Sequence, residues 1–273
     1  MPDGPYFGRD VHPVAFNFGS FTVYWYGILA ALGFLAAFWT ASRRAPREGL
    51  SPEVIVDLAP WLIGGAIVGA RLFYVISHWQ EEFAGQGLWQ ILALRRSGLV
   101  WYGGLIGASL ATLIYAHRKK VSLWKLADVI APSIALGHVF GRFGCLMTGC
   151  CYGRHTDLPW AIRFPTEHWT GGDPVHPTQI YEALCNALLY GGLMWLYRRK
   201  KFDGQIFAVY LIGYALLRAF VEAFRGDYPK YYLGGHVTPA QFLSIGILAA
   251  GFLLFWKLSR SAQPVPASGS HGN

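Results

Sequence analysis

The chain has 273 residues, of which 53% are hydrophobic and 16% aromatic, while only 14% carry charge; soluble proteins run nearer ~25% charged. That balance excludes an ordinary soluble domain and places the chain in a lipid bilayer. The formal net charge of +8 falls in short basic runs just after apolar stretches, the pattern of cytoplasmic loops, so nucleic acid is excluded as a partner.

Residues 1 to 18 are polar with one basic residue, Arg9, and the first apolar stretch is long enough to span, so no cleaved leader is expected. Apolar segments fall at about 20–43, 54–77, 99–117, 124–144, 178–197, 205–225 and 237–257, each near the ~20 residues that a span needs. The expected fold is therefore an all-α integral membrane protein of seven transmembrane helices. Basic clusters follow the first span (Arg43, Arg44, Arg47), flank the third and fourth (Arg118, Lys119, Lys120, Lys125), and follow the fifth (Arg198, Arg199, Lys200, Lys201) and seventh (Lys257, Arg260). All land on one side, which puts the N-terminus outside and the C-terminus in the cytoplasm.

Two longer outer connections remain. Residues 78–98 hold Trp89, Ile91 and Leu92 beside Arg95 and Arg96 and suggest an interfacial helix. Residues 145–177, rich in Gly, Pro, Trp and His, suggest a small external cap. Residues 1–260 then form a single transmembrane domain, and 261–273 a disordered cytoplasmic tail by composition. Glycines four apart, Gly65 with Gly69, Gly103 with Gly107 and Gly137 with Gly141, mark expected close helix contacts within one bundle.

An arginine at the bilayer centre costs ~2.5 to 3.5 kcal/mol even on the mild insertion scale, so intramembrane arginines face protein or a wet cavity. Arg71, Arg142 and Arg218 need such a place. At 1.5 Å of rise per residue Arg71 and Arg142 fall near the outer ends of their helices and Arg218 near mid-depth. Tyr214, Arg218, Glu222 and Arg225 are spaced four, four and three apart and read as one polar stripe on the sixth helix. That stripe equally suits an internal Arg218–Glu222 ion pair holding the bundle together. Tyr26 and Tyr102 also reach the outer half, as site residues or as members of an aromatic belt.

Several arginines and tyrosines in an outward-opening cavity suit a phosphate carrying acyl chains, because guanidinium forks bind phosphate oxygens bidentately and tyrosine hydroxyls donate to what remains. The residues alone thus indicate a phospholipid-handling protein, and leave enzyme, flippase and lipid-binding scaffold open. Asp57 and Asp128, on the inner half near helix starts, read as caps.

The chain also resembles a known family, the phosphatidylglycerol:prolipoprotein diacylglyceryl transferases of bacterial plasma membranes. The resemblance runs in order through Trp25-Tyr26-Gly27, Gly69-Ala70-Arg71, Gly103-Gly104-Leu105-Ile106-Gly107, Ala127-Asp128 with Pro132, and Gly141-Arg142-Phe143-Gly144. It continues through Tyr152-Gly153-Arg154, Asp157-Leu158-Pro159-Trp160, His176-Pro177-Thr178-Gln179-Ile180-Tyr181-Glu182, Arg218 to Arg225, and Gln241. It implies a multi-pass protein of the bacterial inner membrane whose substrates are phosphatidylglycerol and prolipoprotein signal peptides bearing a lipobox cysteine. The diacylglyceryl group passes to that cysteine's thiol, a thioether forms and glycerol phosphate leaves. No cofactor and no metal are implied.

The resemblance makes the residues matching Arg142 and Arg218 central; beside them Arg71, Tyr214, Glu222, Arg225 and His176 are further candidates for binding the lipid, and Tyr26 is a further catalytic candidate. The chain departs from the family pattern at Cys145 and Cys150, where Asn and Glu are usual, and at Tyr102, where histidine is usual. The base for the thiol proton is then open among His138, four residues before Arg142 on one helix face, His176, Tyr102 itself and no dedicated base at all. Cys145 and Cys150 stand as a disulfide bracing the loop or as free thiols, Cys151 being an equally near partner. Together with Cys185 they match no zinc-ligand spacing.

Overall fold

The computed structural model describes residues 13–19, 21–85, 98–227 and 237–261, so the stretch around Trp89 to Arg96 and nearly all of the tail lie outside the described residues. Among the described residues there are seven helices of 18 residues or more: α1 Trp25–Arg44, α2 Pro52–Ser77, α3 Trp101–Lys119, α4 Leu123–Thr148, α5 Thr178–Tyr197, α6 Gln205–Glu222 and α7 Pro239–Ser261. Five segments, Trp25–Glu48, α2, α4, α6 and α7, are long and apolar enough to cross a membrane. Their outer faces agree, since Leu35, Val68, Ile76, Phe143, Leu216 and Leu253 are all exposed.

The helices differ from the sequence expectation at their ends. The first apolar segment opens as an antiparallel hairpin, β1 Val14–Phe18 with β2 Phe21–Tyr24, and turns helical only at Trp25. The run Phe21-Thr22-Val23-Tyr24 is all β-branched and aromatic, which suits a strand better than a helix start. The fourth helix runs on to Thr148, so Cys145 lies inside it. The sixth stops at Glu222, so Arg225 is not on its polar stripe, and Arg218 lies one turn from the helix end.

Contacts divide the chain into two compact units, Ala41–Leu126 and Met1–Thr40 with Ala127–Asn273. In the first unit α2 and α3 meet backbone to backbone. A Cβ on Gly69 would run into Gly103 O, and one on Gly107 into Gly65 O, so these four glycines are where the helices touch. Tyr115 Oη donates to Val54 O at 3.0 Å in the same interface. Asp57 does not cap its helix and instead meets Lys119 Nζ at 3.2 Å, both half exposed.

In the second unit α4, α5 and α6 share a core of Ala131, Ala135, Leu193, Tyr197, Ile206 and Tyr210. The third glycine pair does not repeat the pattern, since a Cβ on Gly141 meets nothing within 4 Å and one on Gly137 only ordinary contacts at 3.8 Å and beyond. Gly33 against Phe140 and Gly144 against the Tyr26 ring are the close approaches on α4. Asp128, fully buried on α4, caps α6 rather than its own helix: it accepts from Gly204 N at 2.7 Å and Phe207 N at 2.9 Å and pairs with Lys200 Nζ at 2.9 Å. One carboxylate thereby satisfies two orphan donors and a nearly buried ammonium.

Where the composition suggested a cap over 145–177, residues 145–148 belong to α4 and residues 149–177 fold as a small cap. Ile162, Phe164 and Val175 are its core, β3 Ile162–Arg163 pairs with β4 Pro174–Val175, and Gly153 bridges to Arg225.

Removing one partner of a buried ion pair is far more damaging than removing an exposed one. Asp128→Ala is expected to cost about 3 kcal/mol or more and to lower the melting temperature in detergent markedly, whereas Asp57→Ala should stay within about 1 kcal/mol of the parent. Equal effects of the two substitutions would contradict the assignment of Asp128 as the α6 cap.

Candidate active site

The polar residues of the second unit converge under the cap, where α4 and α6 end and α5 begins. Arg142 projects from α4 one turn and a half before its end, and its Nη2 lies 2.7 Å from Glu182 Oε1 on α5, with side-chain exposures of 18% and 2%. Arg218 Nη1 lies 2.6 Å from Glu222 Oε2 on α6, one turn apart. Both glutamates are buried. Such pairs persist in an apolar interior only because each charge has a close opposite partner.

His138 sits one turn below Arg142 and packs against the Tyr214 ring at 5.4 Å, with Asn186 beside it. Its Nδ1 is enclosed and has no hydrogen-bond partner among the described residues. Tyr214 stacks in turn on Tyr210 at 5.9 Å. Tyr26, the second residue of α1, lays its ring over Gly144 and stays half exposed. Thus His138, Arg142, Tyr214, Arg218, Glu222 and Tyr26 share one unit, and α4 alone supplies His138, Arg142 and the Gly144 seat.

Arg225 and His176 belong to the cap edge. The Arg225 guanidinium forks onto Asp227, Nε to Oδ1 at 2.8 Å and Nη2 to Oδ2 at 2.6 Å. His176 N donates to Arg154 O and its own carbonyl accepts from Gly153 N, each at 3.0 Å, while Nδ1 meets Tyr181 Oη at 3.2 Å. Burial, then the nearby Arg154 charge, lower the His176 pKa from its ordinary 6.5. Arg71 and Tyr102 lie in the other unit. There Arg71 Nη1 approaches Gly98 O at 3.4 Å and its guanidinium lies over the Tyr74 and Phe83 rings; Tyr102 is half exposed and edge-on to Trp101.

The cysteines are free thiols, so the Cys145–Cys150 bridge is not formed. Instead the Sγ atoms of Cys145, Cys150 and Cys151 all lie within 4.8 Å of one another. Cys145 on the helix and Cys150 just past its end are drawn together by the helix terminus itself, where Cys150 N donates to Cys145 O at 3.2 Å. Hydrogen bonds from the Cys145 and Cys150 thiols hold the Cys151 thiol well below its usual range, and Arg225 and Arg142 push the same way.

Sequence reasoning did not single out the α5 side of the site. Gln179, Glu182 and Asn186 are all buried; Gln179 Nε2 donates to Cys150 O at 2.7 Å and Asn186 Nδ2 to Glu182 O at 2.8 Å. Their spacing of three and four is the same one-face signature that exposed the α6 stripe, and reading it would have found them.

These observations define a helical, multi-pass membrane protein with paired charges buried beneath a cap. The model of the prolipoprotein diacylglyceryl transferase family matches residues 13–257, and the chain belongs to that family. A phosphatidylglycerol–prolipoprotein diacylglyceryl transferase of Finegoldia magna is 38% identical over 242 residues, covering 88% of this chain and 93% of the relative. Those of Synechococcus elongatus and Bacillus cereus are each 36% identical, over 89% and 88% of this chain and 86% and 89% of the relatives.

The depressed His176 pKa fixes a pH dependence. Below its ordinary 6.5 the unfolded state takes up a proton that the folded state resists, so stability falls as pH drops through that value. His176→Gln should flatten this acid-side loss, read as melting temperature in detergent between about pH 8 and about pH 5. An identical slope in parent and variant would remove His176 as its source.

Proposed function

We propose that this chain transfers the diacylglyceryl group of phosphatidylglycerol to the thiol of a prolipoprotein lipobox cysteine, with Arg142 and Arg218 holding the phosphate. The observation that carries this reading is the pair of enclosed guanidiniums, each fixed by a buried glutamate. A guanidinium is a planar fork of N–H donors whose geometry matches phosphate oxygens. In the reaction the thiolate sulfur attacks the glycerol carbon, the carbon–oxygen bond breaks, and the electron pair leaves on the phosphate oxygen. A phosphodiester of one negative charge becomes a monoester that can carry two, and fixed donors aimed at that oxygen stabilise the charge as it grows.

A thiol of pKa ~8.5 must also lose its proton. His138 is the candidate base: an imidazole is the commonest proton acceptor in such steps, and it shares a helix face with Arg142. Glu182 and Glu222 position the two forks, and Tyr26, Tyr214, Arg225 and His176 border the same region. Arg71 and Tyr102 remain proposals as lipid-binding and catalytic residues from the family resemblance.

Transfer of labelled lipid to a lipobox peptide tests the assignment. Arg142→Lys should lose a hundredfold or more, the scale of one electrostatic donor at ~3 kcal/mol, because a point charge does not replace a fork. His138→Gln should lose rate and change the acidic limb of the pH profile. Near-normal transfer by Arg142→Lys would take that residue out of the mechanism.

We propose further that the seven helices all span a bacterial inner membrane, with the N-terminus and the cap outside and the C-terminus in the cytoplasm. Basic residues cluster after α1 and α5 and around the α3–α4 turn, which supports that orientation. Reporter fusions after Arg47, Lys120 and Lys201 should all read cytoplasmic; one external result reverses the assignment.

A further inference from the structure

We infer that Cys145, Cys150 and Cys151 form a binding site for a thiophilic divalent d10 cation of the zinc class, a site that the transfer reaction itself does not call for. Three thiol sulfurs from α4 and the chain after it lie within 4.8 Å of one another and none is bridged. With metal–sulfur bonds of about 2.3 Å, sulfurs at three corners of a tetrahedron around one cation stand roughly 3.8 Å apart. The cluster is therefore within a side-chain rotation of a three-thiolate site with its fourth position open.

The backbone is shaped for this convergence. Side chains of adjacent residues normally diverge, yet Cys150 and Cys151 aim their thiols together because Cys151 takes φ +65°, a left-handed conformation uncommon outside glycine. Three successive carbonyls are held by side chains from elsewhere: Gly149 O by His168 Nε2 at 2.9 Å, Cys150 O by Gln179 Nε2 at 2.7 Å and Cys151 O by Thr178 Oγ1 at 2.6 Å. Gln179 and Thr178 are buried. Such outer contacts are what orient ligands in a metal site. Bound there, the cation ties the end of α4 to the strand edge where Gly153 meets Arg225.

The test uses the reduced full-length protein in detergent, Cd(II) as probe and the thiolate-to-cadmium ultraviolet difference band as readout, which is independent of transfer. One cadmium per chain is expected. Cys145→Ser, Cys150→Ser and Cys151→Ser should each weaken binding at least tenfold, Gln179→Leu should weaken it tenfold or more with every thiol in place, and Cys185→Ser should leave it unchanged. In the parent protein, cadmium should shield the three clustered thiols from alkylation, read by mass spectrometry, and leave Cys185 reactive; this arm stands even where a serine variant does not fold. The proposal is overturned by the absence of the band, by binding that survives all three serine variants, by shielding that omits one of the three, or by a disulfide among them in protein isolated without reductant.

Discussion

The Arg142–Glu182 pair is the interaction on which the rest of the site depends. It joins α4 to α5 by a contact of 2.7 Å between side chains that are almost wholly enclosed. Neither charge is tolerable there alone, so the two helices must meet in one register for either to be buried. That register then sets the neighbours. Gln179 and Asn186, one turn either side of Glu182, are brought against the loop after α4 and against His138.

The cap continues the same logic in backbone form. Arg154 N donates to Phe224 O at 2.8 Å, His176 N to Arg154 O at 3.0 Å, and Gly226 N to Tyr152 O at 3.3 Å. Residues after α4, before α5 and after α6 are thus tied to one another at the level where those helices end. Gly153 and Gly226 fit this weave only without side chains, because a Cβ on Gly153 would meet His176 O at 2.7 Å and one on Gly226 would meet Arg154 Cα at 2.9 Å. A substitution at either position acts on the site through the backbone it displaces, with no catalytic atom removed.

Much of this was legible in the sequence where a single helix carries the signal. Arg218 and Glu222 are four apart, and the pairing left open for them is the one the structure holds; Gly65, Gly69, Gly103 and Gly107 announced a close helix contact that exists. Signals that depend on two elements were harder to see. Arg142 was picked out by the cost of its burial, but its partner Glu182 is forty residues away on another helix, and no local period connects them. Asp128 was legible as a cap but not as the cap of α6, because the helix it serves begins 77 residues later. Arg225 was misplaced because helical spacing was extended past Glu222, where the chain turns to pair with Gly153. The cysteine cluster was hidden for a conformational reason: only the left-handed backbone at Cys151 brings adjacent thiols to one side.

The charge balance of the paired site bears on how the proposed reaction is driven. Arg142 with Glu182 and Arg218 with Glu222 sum to zero, so the resting site is pre-organised without a surplus of uncompensated positive charge. A phosphodiester entering it finds guanidiniums already oriented, but with part of their field spent on carboxylates. Its attraction is correspondingly tempered, and tight binding of the ground state does not by itself accelerate the step. As the carbon–oxygen bond breaks, charge accumulates on the leaving oxygen, and the same fixed donors interact more strongly with that growing charge than with the starting diester. The glutamates therefore make buried arginines possible in an apolar interior and hold them oriented, while lowering the field felt by the bound lipid and by the departing phosphate alike.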